Sequence, residues 1–472
     1  MKRRTFLLLS TVAASTLLIG RNQIANNRAE NFNSKLSIPP LLEGEKIDGI
    51  YNYNLNIQKA KHNFFSDRLT DTYALNGSYL GPTLRLFNGK EVSINYTNTL
   101  DERTTMHGHG MHLPANMDGS PHQSIAPKES WSARYRVNQR ACTNWYHPHA
   151  EGKTAEHVYK GLAGILIIED EESQALDLPK EYGVDDIPLV LQDKFFTAKR
   201  EILYSPNMMQ SMMGYKGDTF VTNGVINPRL EVEAKEIRFR LLNGSNSTVY
   251  NLAFSDNREF HQIATDNSFL EKPVSLTSVR LSPGERAEIV VDFSNSLGEE
   301  IFLEELTQAK YFLKVAILKE TKNQTKLPLK LTSLEKYSES DAQNRRSFTL
   351  SGRMGNLYIN NKTMSMTRID ERVALNKIEV WEIRNQKMMM MGMEHNFHIH
   401  GTHFMVIERN GSASNVANNE KGYKDTVYLA PGDSVKLIVK MTDYRDSKVP
   451  YMYHCHFLEH EDRGMMGQFL VT

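Results

Sequence analysis

Cysteine is scarce: the 472 residues contain two, Cys142 and Cys455, which excludes a scaffold stapled by several disulfides. One bridge between the pair is the most an exported chain could form. Cys455 lies between two histidines, where a thiolate suits a soft metal better, and Cys142 reads as a buried free thiol. Excess charge of either sign is also missing, with 56 Lys plus Arg against 56 Asp plus Glu, which argues against nucleic acid or another polyanion as partner. A long apolar run is missing as well. The N-terminal stretch from Thr5 to Gly20 follows Lys2, Arg3 and Arg4 and is too short for a membrane span, so it reads as a signal peptide. The paired arginines followed by Thr-Phe-Leu suggest the twin-arginine type, a route that carries folded proteins. The expected location is the periplasm, with no stable membrane span in the mature protein. No clean A-x-A cleavage site follows, so an uncleaved anchor stays open. The polar, Asn-rich stretch 21–37 reads as a flexible lead-in.

What is present is histidine in pairs. His107/His109, His147/His149, His398/His400 and His454/His456 are each separated by one residue. Sixteen histidines scattered over this length would give about half of one such pair by chance. Residues i and i+2 of a strand point to one face, so each pair offers two imidazoles side by side. Eight such nitrogens are too many for one ion and suit a small cluster.

Strand parity adds a second site. In "YHCHFLEHEDRGMM" Cys455 points away from His454 and His456, and in "HNFHIHGTHF" His395 has the parity opposite to His398 and His400. His460 and Met465 follow Cys455 in the next turn or loop. A His₂Cys set with a weak axial Met is a blue-copper electron-transfer site. The stretch His454-Cys455-His456 would join it to the histidine cluster.

The length sets a prior of about three domains, and the 40% apolar content suits ordinary globular cores. The segments "KEVSINYTN", "KEIRFRLLN" and "NKIEVWEIRN" end at Asn98, Asn243 and Asn385, and a turn marker follows each, at Pro127-Lys128-Glu129, Pro283-Gly284-Glu285 and Pro431-Gly432-Asp433. Paired markers at matching intervals argue for three related domains. Period-two alternation with frequent turn signals reads as all-β sandwiches. The expected division is 1–37 signal peptide and lead-in, 38–172 first domain, 173–320 second domain, 321–346 linker and 347–472 third domain. The middle domain has the lone His261 and no pair, and reads as a spacer without copper. The cluster must then lie between the first and third domains.

The segments "HGHGMHLP", "YHPHAEGKT", "HNFHIHGTHF" and "YHCHFLEHEDRGMM" resemble the four copper-binding motifs of the multicopper oxidases. The resemblance spans roughly residues 40–472 and is closest to bacterial copper-efflux (cuprous) oxidases. It implies three consecutive cupredoxin-like Greek-key β-sandwich domains holding four copper ions. Type 1 copper would take His395, Cys455, His460 and axial Met465, and type 2 copper His107 and His398. One type 3 copper would take His109, His147 and His456, the other His149, His400 and His454. The implied reaction couples one-electron oxidation of a small reducing substrate to four-electron reduction of O₂ to water. Asp118 in "LPANMDGSP" and Glu461 beside His460 would relay protons as general acids. Of the other histidines, His112 and His403 are near enough in sequence to act as outer partners of ligands. A monomer is expected.

Two positions depart from the family pattern. Gly108 stands where Trp is common, which loosens that strand, and Asn396 stands where Pro is common. The reductant stays open among Cu(I), Fe(II) and phenols. Methionines cluster at Met208-Met209, Met212-Met213, Met364/Met366 and Met388–Met391 with Met393, and thioethers suit Cu(I). Met393 matches a substrate-copper ligand of copper-efflux oxidases, and Glu394 could add a carboxylate. Yet residues 320–350 contain no Met, unlike the long Met-rich insertion of those enzymes, and methionines also fill core gaps. Two alternatives remain. A copper-storage or copper-tolerance protein would bind copper without O₂ consumption. A non-catalytic relative, such as a cell-division protein, would have lost several histidines, whereas all ten are present here.

Overall fold

The computed structural model describes residues 31–321, 325–353, 355–387 and 392–472. The signal peptide and Met388–Met391 fall outside the described residues. Those that are described form six sheets, two from each third of the chain. In the first sandwich one sheet runs Leu41–Leu42, Thr83–Phe87, Gly164–Glu169, Cys142–His147, His107–His109, and the other is built on Ile50–Phe65 and Glu91–Asn98. In the third, Asp446–His454 and His395–Ile399 lie side by side in one sheet, facing a sheet centred on Ile378–Asn385. Alternation explains the layering. In Glu91–Asn98 every second residue is buried, from Val92 through Asn98, so one face meets the core and the other meets solvent.

The repeat has a physical basis. Glu91–Asn98, Glu236–Asn243 and Ile378–Asn385 each pair parallel with an earlier strand of the same sandwich and antiparallel with the strand after the turn marker. The closing asparagine meets the marker the same way in each sandwich. Its backbone N–H donates to the acidic residue's carbonyl, Glu129 at 2.9 Å, Glu285 at 3.1 Å and Asp433 at 2.9 Å. Its carbonyl accepts from Lys128, Gly284 or Gly432, which all have positive φ. The Asn243 side chain then donates to Thr248 O in the following loop and to Leu281 O just before the marker, at 2.8 Å each.

The lead-in differs from expectation near its end. Ser34–Lys35 pairs parallel with Pro228–Arg229 of the middle sandwich, and Phe32 and Leu36 are buried. These two apolar side chains in a polar stretch are what anchor it. Cys142 and Cys455 are both free and buried, so no disulfide joins them. Among the described residues no helix is long and apolar enough to cross a membrane.

Candidate metal centre

Register brings the four pairs together. His107 lies directly opposite His147 in the first sandwich, and His398 lies opposite His454 in the third. The two strand pairs face one another, so all eight imidazoles converge and each is at most 1% exposed. The donor atoms fall into triads within 4.8 Å: His107, His109 and His398; His109, His147 and His456; His149, His400 and His454.

The partner of each ring nitrogen assigns its tautomer. Nδ1–H donates outward to a carbonyl or carboxylate in His107 (Asp118 O, 2.7 Å), His147 (Pro148 O, 2.7 Å), His398 (Asp425 O, 2.9 Å), His400 (Asp118 Oδ2, 2.7 Å) and His454 (Cys455 O, 3.1 Å). Their Nε2 lone pairs therefore point inward. His109 is reversed: Nε2–H donates to Asp425 Oδ1 at 2.8 Å and Nδ1 faces His147 Nε2 at 3.4 Å. Further inward pairs are His400 and His454 Nε2 at 3.0 Å, and His149 and His454 Nε2 at 3.2 Å. His107 Nε2 and His398 Nε2 are buried with no hydrogen-bond partner. Burial, reinforced by neighbouring imidazoles, holds His147, His149, His400 and His454 well below the usual histidine range. Neutral rings with lone pairs aimed at one space repel unless cations fill it. The donor set fits copper, for which imidazole is a suitable ligand.

Three carboxylates sit against this set. Asp118, fully buried, contacts both His400 and His107. The next residue, Gly119, has φ of +74°, and a Cβ there would collide with the Met106 carbonyl, so Asp-Gly is required for the carboxylate to approach. Glu461 lies 3.4 Å from His149 Nδ1 and 3.3 Å from His454 Nδ1. Burial, with Asp462 adding to it, pushes its carboxyl well above the usual range. Asp425, the third, was not singled out from the sequence. Burial opposes its charge, yet Arg286 and His109 outweigh burial and hold it well below the usual range. Its signal was faint: an acid opening an apolar strand, many residues from any histidine pair.

The second site lies across the Cys455 peptide, as parity required. Cys455 Sγ is 3.6 Å from His395 Nδ1 and 3.5 Å from His460 Nδ1, and the two nitrogens are 3.1 Å apart. His460 Nε2–H donates to Met212 O at 3.0 Å, leaving Nδ1 free toward sulfur. Met465 is fully buried, and its carbonyl accepts from Cys455 N–H at 3.1 Å. Burial pushes the metal-free thiol up to about 12 and holds His460 down at about 4. A cation is what converts such a thiol to thiolate.

The two departures resolve. At Gly108 a Cβ would lie 3.0 Å from Met111 Cγ, so Met111 fills the space a larger residue would take, and the wall is packed. Asn396 accepts from His456 N–H at 2.6 Å and donates to Ser282 Oγ at 3.0 Å and Pro283 O at 2.8 Å. Proline could make none of these side-chain bonds. His112 donates to Thr442 O at 3.0 Å and His403 stacks on Tyr423 at 4.2 Å. Both line a cleft of about 730 Å³ and neither touches a paired histidine. Met393 is buried in the third core, and Met212 packs against the same core. Met208 and Met209 are 68% and 58% exposed, on the helix Met208–Met213 whose Met212 carbonyl holds His460. Glu394 pairs with Lys216 at 3.0 Å and accepts from Tyr428.

Sequence models of multicopper oxidase domains match residues 56–173, 185–303 and 326–472. The chain belongs to the multicopper oxidase family. It is 38% identical over 455 residues to a multicopper oxidase of Staphylococcus haemolyticus, covering 96% of this chain and 95% of that one. It is 35% identical over 486 residues to the cell division protein FtsP of Xenorhabdus nematophila, covering 100% and 99%. The crystal structure of a laccase from Pediococcus acidilactici superposes with a TM-score of 0.88 at 34% identity, covering 94% and 95%. Three cupredoxin-like sandwiches, copper binding and oxidoreductase chemistry are what this membership implies.

Proposed function

We propose that this protein is a four-copper oxidase that takes electrons singly from a small reductant and reduces O₂ to water. The observation that carries the reading is that all ten histidines and Cys455 fall into buried donor triads, with Met465 buried in the same third-domain core as Cys455. His395, Cys455, His460 and Met465 would hold type 1 copper, and His107 and His398 type 2. His109, His147 and His456 would hold one type 3 copper, and His149, His400 and His454 the other. When bound, these ions supply one-electron transfer at the cysteine site and dioxygen reduction at the histidine cluster. The protein's part is placement and protons. Covalent bonds from Cys455 to His454 and His456 give the shortest link between the sites. Glu461, whose carboxyl burial pushes well above the usual range, stands beside His149 and His454 and can pass a proton inward. Asp118 orients His400 and His107 and can relay a proton on the opposite side.

Cu(I) is the reductant favoured by position. The helix Met208–Met213 presents exposed thioethers and touches His460 through the Met212 carbonyl. Met393 is buried in the third core rather than meeting solvent. Fe(II) and phenols are the competing substrates. We place the mature chain in the periplasm as a monomer, exported by the twin-arginine route, with domains at 38–172, 173–320 and 347–472. A storage protein of the same fold would bind copper and consume no oxygen. Oxygen uptake by copper-loaded protein with Cu(I), Fe(II) and a phenol in parallel tests both readings. The fastest uptake is expected with Cu(I), and no uptake with any of the three would reject the oxidase reading.

A further inference from the structure

The middle sandwich reaches the histidine cluster at three points. The turn Pro283-Gly284-Glu285 packs against two of its rings: a Cβ on Gly284, whose φ is +84°, would lie 3.1 Å from His456 and 3.2 Å from His109. Ser282 and Pro283 hold Asn396, which in turn accepts from the His456 backbone. The third point is Arg286, which is completely buried.

Arg286 bonds to all three sandwiches. Its Nε donates to Thr143 O at 2.9 Å and Nη2 to Asn144 Oδ1 at 2.5 Å, in the first. Nη1 and Nη2 also reach Gly284 O at 3.0 Å and Asp266 O at 3.1 Å, in the middle. The fork closes on both oxygens of Asp425 in the third sandwich, at 2.8 Å and 2.6 Å. Asp425 Oδ1 is the acceptor for His109 Nε2–H, and the Asp425 carbonyl is the acceptor for His398 Nδ1–H. Thr426 Oγ1 donates to the same carboxylate at 2.8 Å.

We propose that Arg286 is a positioning residue for the copper cluster: its two-pronged grip on Asp425 fixes the His109 tautomer and aims His109 and His398 inward. His109 is the one paired imidazole that turns Nδ1 inward against the Nε2 of its neighbours, and it depends on an acceptor at Nε2 to do so. A lone carboxylate could rotate away, whereas a planar guanidinium holds both oxygens at once. Lys424 pairs with Asp266 at 3.0 Å and with Glu285 at 3.2 Å; the Asp266 carboxylate comes only to 3.9 Å of the Arg286 guanidinium, so the close two-oxygen contact is with Asp425. The middle sandwich thus supplies part of the cluster's frame although it supplies no imidazole to it.

This inference rests on the copper assignment above, and a copper titration tests it without turnover. Apoprotein carrying Arg286→Met or Arg286→Lys is titrated with copper against a chelator, alongside wild type. Type 2 electron paramagnetic resonance intensity and blue absorbance are read on the same samples. Arg286→Met is expected to weaken cluster copper about 10–100-fold, the usual cost of losing a ligand's outer partner, with blue absorbance per chain unchanged. Arg286→Lys, which keeps the buried charge but not the fork, is expected to fall between, and it carries the test if the methionine variant does not fold. Cluster copper retained at wild-type affinity in the folded variants, or equal loss of both signals, overturns the proposal. If wild type itself shows no type 2 signal, the copper assignment has failed instead.

Discussion

Replacing Glu461 with glutamine removes the proposed proton donor and keeps the shape of the side chain. The carboxyl is 1% exposed, and both oxygens are buried without a hydrogen-bond partner. They stand 3.3 Å and 3.4 Å from the outer nitrogens of His454 and His149. An amide of the same shape occupies that space and cannot deliver a proton. Loss of a positioned general acid costs about 10²–10⁴-fold, so oxygen reduction should slow by at least about 10²-fold. The cysteine site lies on the other face of the peptide, so its reduction by substrate should keep the wild-type rate. Stopped-flow absorbance separates the two: bleaching of the blue colour is unchanged, and its return on mixing with O₂ is slow. A return at the wild-type rate would refute the relay. The same group predicts a stability signature in copper-free protein. The folded carboxyl titrates well above its ordinary value of 4.5, so the native state binds the extra proton. Wild-type stability therefore declines as pH rises from the ordinary carboxyl range toward the folded value. Glu461→Gln lacks this decline, and its advantage in melting temperature at neutral pH should vanish near pH 4.

Asp118→Ala takes the acceptor from His400 Nδ1 and should weaken cluster copper about 10–100-fold, measured by chelator competition with the blue absorbance as internal reference. Gly119→Ala adds a Cβ against the Met106 carbonyl at φ of +74° and should cost more than about 1 kcal/mol, read by denaturant unfolding of the apoprotein. Replacing Met208, Met209 and Met213 together with leucine should raise KM for Cu(I) and leave KM for a phenol unchanged, because the helix and its Met212 carbonyl stay in place.

Much of the site was legible because strands alternate. Parity alone put His454 and His456 on one face and Cys455 on the other, and the structure places His395 and His460 beside that sulfur. The Asn and turn-marker repeat was visible as spacing, and its cause, three identical backbone exchanges, needed coordinates. Asp425 and Arg286 could not be read the same way. They lie outside the pairs and meet across sandwiches far apart in the chain. Their one trace was a charge at the opening of an apolar strand, as in "RAEIVV" and "KDTVYL". For the same reason the middle sandwich read as a spacer, since a wall made by a glycine turn leaves no ligand-type residue to notice. The methionines misled in part: Met393 fills the core, and the exposed thioethers lie on Met208–Met213.

In the proposed oxidase, one peptide stretch couples a cysteine-bound electron acceptor to an oxygen-reducing histidine cluster. Oxygen uptake with Cu(I) by copper-loaded wild type and Cys455→Ser tests this coupling most directly, with type 2 resonance confirming cluster copper in both. Steady uptake by wild type and none by the variant are expected, although the variant keeps its cluster copper. Equal uptake by the two proteins, or none by copper-replete wild type with any reductant, would contradict that coupling.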